Sequence, residues 1–328
     1  MKRITNLFFL FCVATLTSCN SEDTISQQTE AEKPVLIKLS GGMSVQAETR
    51  GAGIIDAGYA SALPVHFIRL DQNVSTGAYP AYTTFSAGIP ATRTGGTGNT
   101  LVSFDSGSEQ YYLVRETNNK SKLLGWYPRV NGTTVTMASG VLTFTLDGST
   151  DVMLSNEVEA SKTTGNQFSD TGKEFTFSHQ LTQFRVKAYA ADAASINSWG
   201  TVTDIKILSQ LPTCAITLPS TVAFSGTAAD LSLEKKLVAT NAAITYPVTL
   251  GLTSAECGYS MVPPVASTTT VNLQVTTSNG GTRNVPLTLQ AYEKGKAYVV
   301  TLKFTVTSIT AKAQIASWTA VNMSDIQL

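Results

Sequence analysis

The sequence predicts an all-β protein, and three observations carry that prediction. Short segments alternate apolar and polar residues with a period of two, the spacing that turns one face of a strand toward a core. Turn signals recur between these segments, among them Asn131-Gly132, Asp147-Gly148 and Asn279-Gly280-Gly281, at roughly the spacing of a β-sandwich. Helical periodicity is nearly absent. The composition agrees, being 42% hydrophobic, only 14% charged and rich in Thr, Ser, Gly, Val and Ala.

Taken in order, the chain opens on Lys2 and Arg3 and then the apolar run LFFLFCVATL. That run is about ten residues, the length of a signal-peptide core and about half of what spans a bilayer. Polar Asn20, Ser21, Glu22 and Asp23 follow a solitary Cys19. The stretch Leu16-Thr17-Ser18-Cys19 resembles a bacterial lipobox. Cleavage before Cys19 would leave its thiol, the group that accepts diacylglycerol, at the new N-terminus, and acyl chains contribute about 0.8 kcal/mol per buried methylene. Residues 1–18 are thus expected to be a lipoprotein signal peptide and residues 19–33 a flexible tether to the outer membrane.

The patterned part starts at Pro34. VLTFTL places Leu142, Phe144 and Leu146 on one face. Residues 160–173, ASKTTGNQFSDTGK, are polar and unpatterned, which suggests a boundary between two β-sandwich domains at about 34–160 and 174–328. In the second block, residues 190–199 can form a helical turn or two. VNLQV groups Val271, Leu273 and Val275, and YVVTLKFTV groups Tyr298, Val300, Leu302, Phe304 and Val306.

Equal numbers of basic and acidic residues, 23 each, argue against a nucleic-acid partner, which needs a basic stripe. Beyond Cys12 in the signal and Cys19, only Cys214 and Cys257 remain. An export route permits a disulfide between them, and two buried free thiols are the equal alternative.

Several groups of residues together resemble the fimbrillin-like family, pilus subunits of anaerobic Gram-negative bacteria. They are Tyr127-Pro128, Asp151, Phe177-x-His179-x-Leu181, Gly295-Lys296-x-Tyr298 and Ile315-x-x-Trp318, in the family's order. The resemblance implies two tandem transthyretin-like β-sandwiches in a surface-exposed fimbrial subunit. Its partners would be other subunits in a homo- or hetero-polymer, with a host protein or glycan as receptor. It further implies removal of an N-terminal strand by an arginine- or lysine-specific protease, after which a neighbour's strand enters the vacated groove. Here the strand to be lost would be KPVLIKLSG, with Val35, Ile37 and Leu39 on one face, and the cut would fall between Arg50 and Gly51. The tail TAVNMSDIQL would be the donor strand, with Val321, Met323, Ile326 and Leu328 as pocket fillers and a bulge where the register slips.

Little points to catalysis. His66 and His179, the two histidines, each interrupt an apolar strand and read as hydrogen-bonded structural residues. No spacing suggests zinc or calcium, and no Gly-x-Ser-x-Gly occurs. Glu157, Glu159 and Asp170 cluster in sequence but read as solvated, and residues 91–100, ATRTGGTGNT, read as a mobile loop without a phosphate-binding pattern. No enzyme activity and no cofactor are expected. A lipoprotein that binds glycans without polymerising is the alternative. It would display Trp199, since Trp126 and Trp318 fall at structural positions of the family pattern.

Overall fold

The alternating segments are strands, and where alternation fails a strand is buried on both faces. The computed structural model describes residues 34–43, 55, 59–113 and 119–316. In chain order the first half holds β1 (Leu39–Met43), β2 (Leu63–Asp71), β3 (Ile89–Arg93), β4 (Thr100–Phe104), β5 (Lys120–Tyr127), β6 (Val135–Ala138), β7 (Val141–Thr145), β8 (Met153–Ser155), β9 (Val158–Ser161) and β10 (Phe175–His179). The second half holds β11 (Thr182–Ala190), α1 (Ala193–Trp199), β12 (Thr201–Gln210), β13 (Thr213–Thr217), β14 (Thr221–Ser225), β15 (Ala229–Ser232), β16 (Val248–Thr249), β17 (Ala255–Val262), β18 (Thr269–Thr277), β19 (Gly281–Leu289), β20 (Ala297–Phe304) and β21 (Ile309–Ala316).

Seven strands of the first half close into a barrel, in the order β2-β3-β4-β1-β10-β8-β5, with β5 pairing back onto β2. Closure removes the sheet edges that otherwise invite pairing with another chain. Leu63, Val65 and Phe67 of β2 fill the interior with Leu123, Met153, Phe175 and Phe177. Phe67 stands edge-on to Phe175 with ring centres 5.0 Å apart, a favoured aromatic geometry. Gly125 is needed here, because a Cβ would lie 2.8 Å from the Phe67 ring and 3.0 Å from that of Phe177.

The alternate residues Ile68, Leu70, Leu124 and Trp126 point outward into a second core, where Leu142, Phe144, Cys214 and Ile216 meet them. That core lies under a four-stranded sheet, β14-β13-β7-β6. Its central pairing, Thr213↔Thr145 to Thr217↔Val141, joins a hairpin of the second half to one of the first. β9 adds to the barrel sheet alongside β5, and the other strands form two facing sheets, β17-β11-β20-β21 and β15-β12-β18-β19, with β16 on β12. Between them lies a third core that contains Val271, Leu273, Val275, Tyr298, Val300, Leu302 and Phe304, the faces expected from alternation. Val306 departs from that expectation. β20 ends at Phe304, Thr305 turns back onto Ser308, and Val306 is left exposed.

The polar stretch at 160–173 connects β9 to β10 of the barrel sheet and lies mostly at the surface. Phe168 within it is fully buried, stacked 6.0 Å from Tyr112 and 6.2 Å from Phe175, and its amide is bonded to the Tyr112 hydroxyl at 2.7 Å. Beyond it, β10 returns to the barrel between β1 and β8. One aromatic residue in a polar run leaves no periodic trace, so composition alone marks a linker where packing makes a plug.

Residues 190–199 do contain a helix. Asp192 caps α1 by accepting from the Ser195 amide at 2.7 Å, and Gly200 at φ 70° ends it, as capping rules require.

Candidate functional site: the first strand and the groove it fills

The strand expected to leave, KPVLIKLSG, overlaps β1, and the described segment from Val35 to Met43 is held on both sides. β1 runs antiparallel to β4, with Leu39 opposite Val102, and parallel to β10, with Gly41 opposite Phe175 and Met43 opposite Phe177. Ahead of it the Ile37 amide donates to Gln110 O at 2.8 Å and the Tyr112 amide to Val35 O at 2.9 Å. Ile37, Leu39 and Met43 are buried in the barrel core and Val35 packs against it, whereas Leu36 and Lys38 face outward and are exposed. The expected face is therefore the buried one. Each buried side chain of this size is worth about 1.5–3 kcal/mol, so the groove without its strand would expose apolar pockets and unpaired backbone on both flanks.

Arg93 completes one end of this groove, and sequence reasoning missed it. Arg93 is 0% exposed, and among the described residues no carboxylate pairs with it. It donates instead to the carbonyls of Gly41 at 3.1 Å, Thr94 at 3.1 Å, Gly96 at 3.0 Å and Gly98 at 2.8 Å. Burial lowers its pKa from the usual arginine value. Residues 91–100, expected to be a mobile loop, are thus the end of β3, a turn pinned by Arg93, and the start of β4. An arginine beside three glycines was the available signal.

Other predicted residues fall elsewhere. Cys19, Arg50, Gly51, Trp318, Val321, Met323, Ile326 and Leu328 lie outside the described residues. Cys214 and Cys257 are both free and buried, in the second and third cores respectively. The disulfide alternative is thereby corrected in favour of two separate thiols. Burial pushes both up to about 12, which leaves them protonated and unreactive.

Both histidines are hydrogen-bonded structural residues. His66 Nδ1 accepts from the Val130 amide at 3.2 Å, and burial, helped by the Arg129 charge, lowers its pKa to about 4. His179 Nδ1 lies 2.5 Å from Asp151 Oδ2, and both residues are buried. Two motif positions 28 residues apart are therefore one pair.

Glu157 is bonded to Lys122 at 2.7 Å and to the Tyr82 hydroxyl, and Glu159 to Lys120 at 2.7 Å and Tyr79 at 2.9 Å. These two carboxylates tie the segment after β2 to the barrel, while Glu157 stays exposed and Glu159 and Asp170 are half-buried, as solvated residues would be. Trp199 is only 5% exposed, and its indole N–H donates to Thr305 O at 2.6 Å. It cannot serve as the sugar platform of the glycan-binding alternative.

A cavity of about 150 Å³ lies beside Tyr127, Asp151, Gln183 and Tyr259, smaller than the roughly 300–1,000 Å³ usual for small-molecule sites. Among the described residues, no group of three or more His, Cys, Asp or Glu side chains could hold a metal ion.

A family model described as Fimbrillin-like matches residues 73–318. No curated protein matches the sequence. Among solved structures, a candidate cell adhesion protein of Bacteroides ovatus is similar at TM-score 0.57 and 20% identity, over 89% of this chain and 100% of that one. Another from Bacteroides uniformis has TM-score 0.57 and 16% identity, over 88% of this chain and 98% of that one. At such identities the likeness is one of fold.

Proposed function

Because the chain belongs to the fimbrillin-like family, whose members are structural, non-enzymatic pilus proteins, we propose that it is a subunit of a surface pilus assembled by strand exchange. In this reading it is exported as a precursor anchored in the outer membrane by lipid on Cys19. A protease then cuts between Arg50 and Gly51, β1 leaves, and a strand from a neighbouring subunit takes its place. The tail holding Val321, Met323, Ile326 and Leu328 would do the same for another subunit. The barrel and the two-sheet sandwich would be the two β-domains that the family resemblance implies.

The observation that carries the reading is the position of β1. It is an internal strand of a closed barrel, yet it stands nearest the polar N-terminal stretch and precedes Arg50 by only a few residues. A cut there separates β1 from all the other described strands, which follow it in the chain. The groove left behind offers backbone bonds for affinity and alternate pockets for specificity, the two needs of β-strand addition.

The test is intact mass and N-terminal sequencing of the protein taken from its native cell surface. A mature chain beginning at Gly51 and free of lipid is the expected result. A chain that still begins at lipidated Cys19 would sink the polymerising reading and leave a fixed lipoprotein.

A further inference from the structure

The groove around β1 is selective at two adjacent positions, and the selection bears on which chain can fill it. Gly41 points into the barrel, where a Cβ would stand 3.1 Å from Phe175 O and 3.2 Å from Val102 Cγ2. Such contacts are tighter than almost all real ones, and one of the two atoms is backbone. Gly42 points the other way, under the turn between β3 and β4. A Cβ there would overlap Asn99 Oδ1 and lie 3.1 Å from Gly98 O. The Asn99 side chain can rotate away, but the Gly98 carbonyl cannot readily follow, because buried Arg93 holds the carbonyls of Thr94, Gly96 and Gly98. The fourth Arg93 bond, to Gly41 O, also fixes the register, since a strand slipped by one residue presents the opposite face.

Together these contacts read a sequence. Two large apolar residues are wanted at the places of Ile37 and Leu39, then two consecutive glycines where even an alanine Cβ is crowded, then an apolar residue at the place of Met43. The tail of this chain, WTAVNMSDIQL from Trp318 to Leu328, has no glycine and no two adjacent residues that small. We infer that the strand entering this groove is not the tail of a second copy but comes from a chain of different sequence, one carrying a Gly-Gly pair at that spacing, so that this subunit does not polymerise tail-to-groove with copies of itself. The inference rests on the strand-exchange reading above.

The experiment uses the full chain with a specific protease site inserted between residues 44 and 54, cut once, unfolded, and refolded with an excess of labelled peptide. Incorporation is read by gel filtration and fluorescence. A peptide of residues 34–43 should be incorporated. The same peptide with Gly42→Leu, and the tail peptide 318–328, should each be incorporated about tenfold less or worse, as overpacking of a tight site predicts. Asn99→Gly in the barrel should partly restore a Gly42→Ala peptide, which a loss of β-propensity alone would not do. Tail incorporation equal to that of 34–43, or indifference to Gly42→Leu, overturns the inference and leaves strand exchange standing. Failure of every peptide, the native 34–43 sequence included, overturns the strand-exchange reading and the inference with it.

Discussion

At the residue scale the informative groups are buried polar side chains that bond one another. Asp151 and His179 are each nearly inaccessible and bonded at 2.5 Å. Removing one partner strands the other in a low-dielectric site, which typically costs about 3–5 kcal/mol, whereas replacing both by apolar residues often costs little. Asp151→Leu and His179→Leu should therefore each lower the urea-unfolding free energy by that order, and the double variant by less than the two summed. Additive losses would mean that the pair is not coupled. His66 gives a pH dependence of known sign. Its pKa falls from 6.5 to about 4 on folding, through burial first and the Arg129 charge second, so the unfolded chain binds the proton more readily. Its contribution to stability is complete above about pH 6.5 and is lost as pH falls toward 4. Thermal melts of the protein and of His66→Gln, whose side-chain oxygen can still accept from Val130, should diverge in slope across that window. Parallel slopes would remove His66 as the cause.

At the scale of the element, the links after β11 show how a strand protein uses its few irregular pieces. Trp199 ends α1 and packs edge-on to Phe304, 5.8 Å away, and its indole N–H reaches the carbonyl just past β20. Gly280 leaves room for the ring, since a Cβ there would overlap it. Trp199→Ala should destabilise the protein by about 3–5 kcal/mol and Trp199→Phe by less, through loss of one hydrogen bond worth about 0.5–1.5 kcal/mol. Denaturant melts would rank them, and two near-neutral variants would contradict the burial. The sequence favours a buried Trp199 over a displayed one only because large rings are usually buried, and the ring is buried. A single aromatic at a helix end has no period from which to read a face.

At the scale of the whole molecule, the pairing of β7 with β13 decides how the chain is divided. That contact places one sheet across both halves, above a core built from β2, β5, β7 and β13 together. Fragments 34–180 and 181–316 expressed separately should each expose half of that core and one unpaired edge. Neither should show a cooperative melt alone, while mixing them should restore part of the signal. Two fragments that each melted cooperatively would mean that the shared sheet is dispensable. The same layout explains the cysteines, which lie in different cores and so stay apart, however permissive the compartment in which the chain folds.

The sequence by itself determined the fold class, the buried face of the strands that pack on one side, the helical turn near Trp199 and the family, because alternation, turn chemistry and motif order are local properties. Ile37, Leu39, Val271, Leu273 and Val275 were readable on those grounds. Only the tertiary structure decided that β1 closes a barrel, that β10 belongs to that barrel, that Asp151 meets His179, and that Arg93 locks a turn over Gly42. Each of these depends on segments distant in the chain, brought together by burial and backbone pairing. Such contacts are fixed by the free energy of the whole core, and no short window of residues carries a pattern that records them.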